Sequence, residues 1–158
     1  MKKVLISLLL MMVLQAKATH IVGGEIMYKY VSQTGSNIKY NVTLLVYIDC
    51  DNGSSQAIAQ DEKGSVNIFS YNPSNASYST YGSASLIGTR TGPVIISDLN
   101  YNCIVNKPKI CVSQYTYNFD VTLPVNTGGY ALSFERCCRN NTINNLIKPE
   151  PTGATFWT

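Results

Sequence analysis

Five cysteines, one histidine and nine acidic residues are the groups of this chain suited to covalent, metal or acid–base chemistry. The cysteines stand at positions 50, 103, 111, 137 and 138, and no two have the spacing of a C-x₂-C zinc pair. His20 is the sole histidine and lies upstream of all five. A thiol nucleophile needs a base within hydrogen-bond reach, and a histidine beside an amino terminus is expected to be solvated and mobile. A metal held by His20 and terminal backbone is the sharper reading of that residue, and a solvated side chain is the plainer one. The acids are equally sparse in pattern. Asp49 and Asp51 share strand parity within Asp49-Cys50-Asp51-Asn52-Gly53 and offer oxygen ligands of the kind Ca²⁺ takes. Gly53 comes one position early for a calcium loop, however, and no glutamate follows at the required distance, so an ordinary Asx-Gly turn competes with that reading. Asp98, Asp120 and Glu135 are isolated and give no glycosidase-type pair. Ile21-Val22-Gly23-Gly24 resembles the activated start of trypsin-like proteases. No Gly-Asp-Ser-Gly segment follows it, and no internal histidine can act as base. The expectation is no enzyme and no cofactor.

Oxidative pairing is the chemistry the cysteines suit. Cys103 and Cys111 flank a short loop containing Pro108. A disulfide closing about nine residues contributes roughly 2.5 kcal/mol through lost chain entropy. Cys50 continues the apolar face of Tyr40, Val42, Leu44, Val46 and Ile48, and Cys138 continues that of Tyr130, Leu132 and Phe134. This parity predicts Cys50–Cys138, a bridge closing about 89 residues and contributing roughly 4.6 kcal/mol. A bulge near Cys137 would give Cys50–Cys137 instead. The odd cysteine stays unpaired, binds another chain or pairs outside this sequence.

Disulfides belong to oxidising compartments, and the amino terminus agrees. Lys2 and Lys3 precede an apolar run from Val4 to Leu14 interrupted only by Ser7, and Ala16-Lys17-Ala18 places small residues for cleavage before Thr19. Residues 1–18 are therefore read as a signal peptide and the chain as exported, secreted or displayed on a bacterial cell surface. The apolar run is too short to cross a bilayer, and no later segment approaches the ~18 apolar residues of a membrane helix, so no transmembrane anchor is expected. Removing Lys2, Lys3 and Lys17 takes three of the twelve basic residues and none of the nine acidic ones, so the net charge falls from +3 to zero. Affinity for nucleic acid or anionic lipid has no support in that balance.

The elements that must position these groups are strands. Tyr115, Tyr117, Phe119, Val121 and Leu123 alternate with Thr116, Asn118, Asp120 and Thr122, and Tyr40–Ile48 and Tyr130–Phe134 alternate similarly. Shorter candidates are Ile21–Val31, Ser65–Ser70, Ser83–Thr89 and Val94–Ser97. Asn52-Gly53, Asn72-Pro73, Gly92-Pro93 and Gly128-Gly129 are the turn signals between them. No segment keeps a helical period. The spacing predicts an all-β, immunoglobulin-like antiparallel sandwich stapled by disulfides, with a barrel as the second choice. Residues 19–150 form this domain, and 151–158 read as the start of a further strand or a truncated continuation. Tyr71, Tyr78, Tyr81 and Tyr101 fall in Ser/Asn-rich segments read as loops, where exposed rings can stack on sugars or anchor a protein partner.

Certain segments also resemble a known family. These are Thr19-His20-Ile21-Val22-Gly23-Gly24-Glu25-Ile26, Tyr47-Ile48-Asp49-Cys50, Gly128-Gly129-Tyr130, Glu135-Arg136-Cys137-Cys138-Arg139-Asn140 and Thr142-Ile143-Asn144-Asn145. Their order resembles the N-terminal region of large exported Bacteroidetes surface proteins described as gliding-motility-associated or adhesin-like. Such proteins usually carry a C-terminal sorting domain for type IX secretion. The resemblance implies surface location, a modular parent protein with further domains and a β-sandwich segment, and it supplies no catalytic residues. The expected function is a non-enzymatic adhesion or scaffold module whose partner is an extracellular glycan or surface protein. The alternative is an accessory domain of a secreted modular enzyme.

Overall fold

The computed structural model describes residues 20–96, 110–137, 139–140, 143–149 and 151–158. In chain order its elements begin with β1 (Ile21–Thr34), β2 (Asn37–Asp49) and α1 (Ser55–Gln60), the last followed by a 3-10 turn over Asp61–Lys63. Then come β3 (Ser65–Asn72), β4 (Ser77–Ser85), β5 (Arg90–Ile96), β6 (Val112–Pro124), β7 (Tyr130–Arg136) and β8 (Ala154–Trp157). Among the described residues these strands make two four-stranded antiparallel sheets, ordered β1-β2-β6-β5 and β4-β3-β7-β8. This is the antiparallel β-sandwich that the alternation predicts.

The period of two shows directly in burial. Val42, Leu44, Val46 and Ile48 of β2 and Tyr115, Tyr117, Phe119, Val121 and Leu123 of β6 turn inward. They meet Val66 and Ile68 of β3 and Leu132 and Phe134 of β7 in one core. Each large aliphatic side chain buried there contributes about 1.5–3 kcal/mol. Thr34 pairs with Asn37, so β1 and β2 are joined by a two-residue loop, and Gly35 at φ 59° supplies the left-handed backbone that loop requires. The Gly23-Gly24 pair accompanies a register shift between Ile21 and Gly23, a bulge that residues without side chains accommodate. A Cβ on Gly24 would stand 2.8 Å from the Phe156 ring, so β1 passes against β8 only because that position lacks a side chain.

Three expectations shift. The strand expected at Ser83–Thr89 is β4, which ends at Ser85, and Leu86 turns fully into the core beyond it. Gly92-Pro93 sits inside β5 at a register shift and separates nothing. The short α1 was not legible as a period, although Ser54 caps it by accepting from the Ala57 amide. Residues 151–158 contain β8, whose residues from Ala154 to Trp157 pair with Arg136 to Ser133 of β7.

The disulfide pairing is corrected by the topology. Cys50 bonds to Cys111, with Cα atoms 5.4 Å apart. Asp49 of β2 lies opposite Val112 of β6, so the next residue on one strand faces the preceding residue on the other, and the Cys50 amide donates to the Cys111 carbonyl. This bond excludes both Cys50–Cys138 and Cys103–Cys111. Cys137 is disulfide-bonded as well, while Cys103 and Cys138 lie outside the described residues. Among the described residues, no helix is long and apolar enough to cross a membrane.

Non-reducing peptide mapping will recover Cys50 and Cys111 in one linked fragment. Their sequence separation is 61 residues. A Cys50→Ala/Cys111→Ala variant will lose about 4 kcal/mol in urea denaturation, the chain-entropy value for a loop of that length.

Candidate functional site

The second sheet carries its core on one side and a row of rings on the other. In β7, Leu132 and Phe134 point inward, which turns Ala131, Ser133 and Glu135 to the outer face. Register then selects their neighbours. Phe69 of β3 pairs with Ala131, Tyr71 of β3 with Tyr78 of β4, Trp157 of β8 with Ser133, and Thr155 with Glu135. Inward-facing Phe156 stacks on Phe134, with centroids 6.4 Å apart and planes 12° from parallel, and this packing turns Trp157 outward.

Tyr71 and Tyr78 have ring centroids 4.9 Å apart, and Tyr78 meets Trp157 edge-on at 6.0 Å. These contacts leave Tyr78 51% and Trp157 63% exposed. Beside the rings is a cleft of about 250 Å³ bordered by Phe69, Ser133, Glu135 and Thr155. Ser133 Oγ donates to Glu135 Oε1 at 3.0 Å. The arrangement joins large apolar planes to hydroxyl and carboxylate groups on a rigid sheet, which suits contact with a ligand having both apolar faces and hydroxyls.

Of the four tyrosines singled out from sequence, Tyr71 and Tyr78 come together here. They lie on strands, not loops, because the Ser/Asn-rich segment between them is only a tight turn over residues 73–76. Tyr81 packs edge-on against Tyr130 at 5.3 Å, apart from this group. Tyr101 lies outside the described residues. Sequence reasoning missed Trp157, Glu135 and Phe69 as members. The signal was strand parity, since Thr155 and Trp157 alternate about Phe156 as Ser133 and Glu135 alternate about Phe134.

A second cluster is buried. His20 is not a solvated terminal residue: it is 3% exposed, and its carbonyl accepts from the Asp49 amide at 2.8 Å. Its Nε2 donates to Asp61 Oδ2 at 2.7 Å, and Arg136 Nε donates to Asp61 Oδ1 at 2.7 Å. Tyr117 Oη donates to the Asp61 carbonyl at 3.2 Å. Burial raises the Tyr117 pKa and Asp61 adds to that rise, against opposing influence from Arg90 and Arg136. Among the described residues, His20 Nδ1 has no hydrogen-bond partner, and the Asp61 carboxylate is shared between His20 and Arg136. Its chemistry is that of a paired buried carboxylate holding four segments together.

Asp49 is likewise committed to structure. Oδ1 accepts from the amides of Asp51 and Asn52, each at 3.0 Å. Oδ2 accepts from Asn52 Nδ2 at 3.1 Å and Asn140 Nδ2 at 2.7 Å. Burial opposes ionisation of Asp49, but the donors from Asn52, Asn140 and Asp51 outweigh it and hold the pKa below the ordinary value. This is the Asx turn, with its carboxylate spent on four donors, while Asp51 is exposed. Among the described residues, no group of three or more His, Cys, Asp or Glu side chains is placed to hold a metal ion.

No protein-family model, curated protein or solved structure matches this chain.

Asp61→Ala leaves His20 and Arg136 without their shared acceptor and will cost about 3–5 kcal/mol in urea denaturation. Asp49 contributes fully above its ordinary pKa of 3.8, and that contribution is lost as pH falls through the lower folded value. In thermal melts from about pH 6 to pH 2, the advantage of the native chain over Asp49→Asn will be complete at the upper end and shrink in the acid limb.

Proposed function

We propose that this chain is an exported, non-enzymatic adhesion or scaffold module of a bacterial surface protein, and that it makes contact through the outer face of its second sheet. The observation that carries this reading is the placement of Tyr78 and Trp157, two large half-exposed rings held side by side on a rigid sheet. Exposed rings grouped on one face are the usual anchors of recognition, because they present a large area at little cost in conformational freedom. The leader-like start, the cysteine content and the order of segments resembling Bacteroidetes surface proteins support an extracellular setting. The buried polar groups brace the fold: Asp61 accepts from both His20 and Arg136, and Asp49 closes a turn.

The test is binding of the labelled, oxidised domain to intact bacterial cells and to the matrix they shed. Tyr78→Ala/Trp157→Ala will lower binding by at least about thirtyfold, the loss expected for recognition anchors. The melting temperature will stay close to native, because both rings lie outside the core. Undiminished binding by the folded double variant would overturn the assignment of this face.

A further inference from the structure

We infer that the ligand of this outer face is a neutral saccharide chain, with one pyranose ring seated against Trp157 and Tyr78 and its hydroxyls held by Glu135 and Thr155. This rests on the proposed binding role and names the ligand class for the same face.

The lining selects among ligands. A pyranose presents a flat patch of C–H groups on one side and a rim of hydroxyls around it. Trp157 and Tyr78 offer exposed rings for the first. Glu135 offers its carboxylate for the second: Oε1 already accepts from Ser133 Oγ, which orients the group and leaves Oε2 for a ligand hydroxyl. Thr155 is exposed beside it on β8 and pairs with Glu135 across the strands, so its hydroxyl stands at the same rim.

The alternatives fit less well. An acyl chain would cover the Glu135 carboxylate and offer it no donor beyond Ser133, at the cost of a desolvated charge. Nucleic acid and acidic glycans require cations, and the residues around the cleft are Phe69, Tyr78, Ala131, Ser133, Glu135, Thr155 and Trp157, with no Lys or Arg among them. Size points the same way. The cleft of about 250 Å³ falls just below the ~300 Å³ at which pockets for whole small molecules begin. It is open at the surface and suits one ring of a longer chain.

Trp157 is the only tryptophan in the chain, so fluorescence excited at the red edge, where tyrosine does not absorb, reports on this face alone. The probes are soluble β-glucan, xylan, mannan, galactan and chitin oligosaccharides, titrated into the oxidised domain and run in parallel as affinity gels. One class will shift and quench Trp157 fluorescence to saturation and retard the native protein. In the affinity gel Trp157→Ala will lose the retardation, and Glu135→Gln will weaken it by about tenfold with an unchanged melting curve. Tyr81→Ala, on the separate Tyr130 contact, will bind like the native chain. Absence of any fluorescence change or retardation across the panel would overturn the saccharide assignment.

Periodate and protease treatment of the cell-surface target separate the two readings. Ring-dependent binding abolished by periodate supports a saccharide. Ring-dependent binding that survives periodate but not protease overturns the saccharide while leaving the adhesion role standing. Absence of ring-dependent binding to any surface overturns both.

Discussion

The pairing of β2 with β6 is the constraint from which the rest of the molecule follows. Thirteen residues of β2 oppose thirteen of β6 without a break in register, from Asn37↔Pro124 to Asp49↔Val112. This register lines up Val42 with Phe119, Leu44 with Tyr117 and Val46 with Tyr115 on the inner face. A slip of one residue would turn one of these rows to solvent, so burial itself holds the register. At the end of the ladder it leaves Cys50 and Cys111 face to face. Further in, it sets Tyr117 so that its hydroxyl reaches the Asp61 carbonyl. Asp61 in turn gathers His20 from before β1 and Arg136 from the end of β7.

Much of this was legible in the sequence because alternation is a local signal. The runs at Tyr40–Ile48 and Tyr115–Leu123 carry their burial pattern in residue type, whereas Tyr130–Phe134 joins them as a core strand that is buried at every position from Ala131 to Phe134. Pairing between strands was not legible. Parity assigns residues to a face of their own strand, but it cannot say which strand lies alongside. Cys111 has the same parity as Tyr115 to Leu123, which makes it an eligible partner, but its nearness in sequence to Cys103 is the stronger local signal. The burial of His20 is hidden from the sequence for a related reason. Nothing in its neighbours announces burial, because its partners stand 41 residues away at Asp61 and, through Asp61, on β7.

The aromatic face was half legible. Tyr71 and Tyr78 stood out as rings among small polar residues, yet that same composition suggested loops. Ser, Thr and Tyr alternate readily on a solvated strand, and the Asn72-Pro73 turn makes a compact hairpin of the segment. Trp157 sits on a four-residue strand whose role appears only once β8 is paired with β7.

β7 ties the buried cluster to the outer face. Its residues alternate between the two environments, with Phe134 in the core, Glu135 outside and Arg136 turned back to Asp61. The ion pair at Asp61 and the ring stack of Phe134 on Phe156 therefore hold β7 and β8 in register from the inside. On the outer face Glu135 meets the Ser133 hydroxyl and Trp157 meets the edge of Tyr78. Their positions are set through the backbone by the inward neighbours at 134, 136 and 156, and Gly24 leaves room for the last of these. A recognition surface gains from this arrangement. Glu135, Thr155, Tyr78 and Trp157 stay exposed for a ligand, while the groups that fix their geometry pack on the inner side, where a buried carboxylate paired with both His20 and Arg136 is far costlier to disturb than any surface contact.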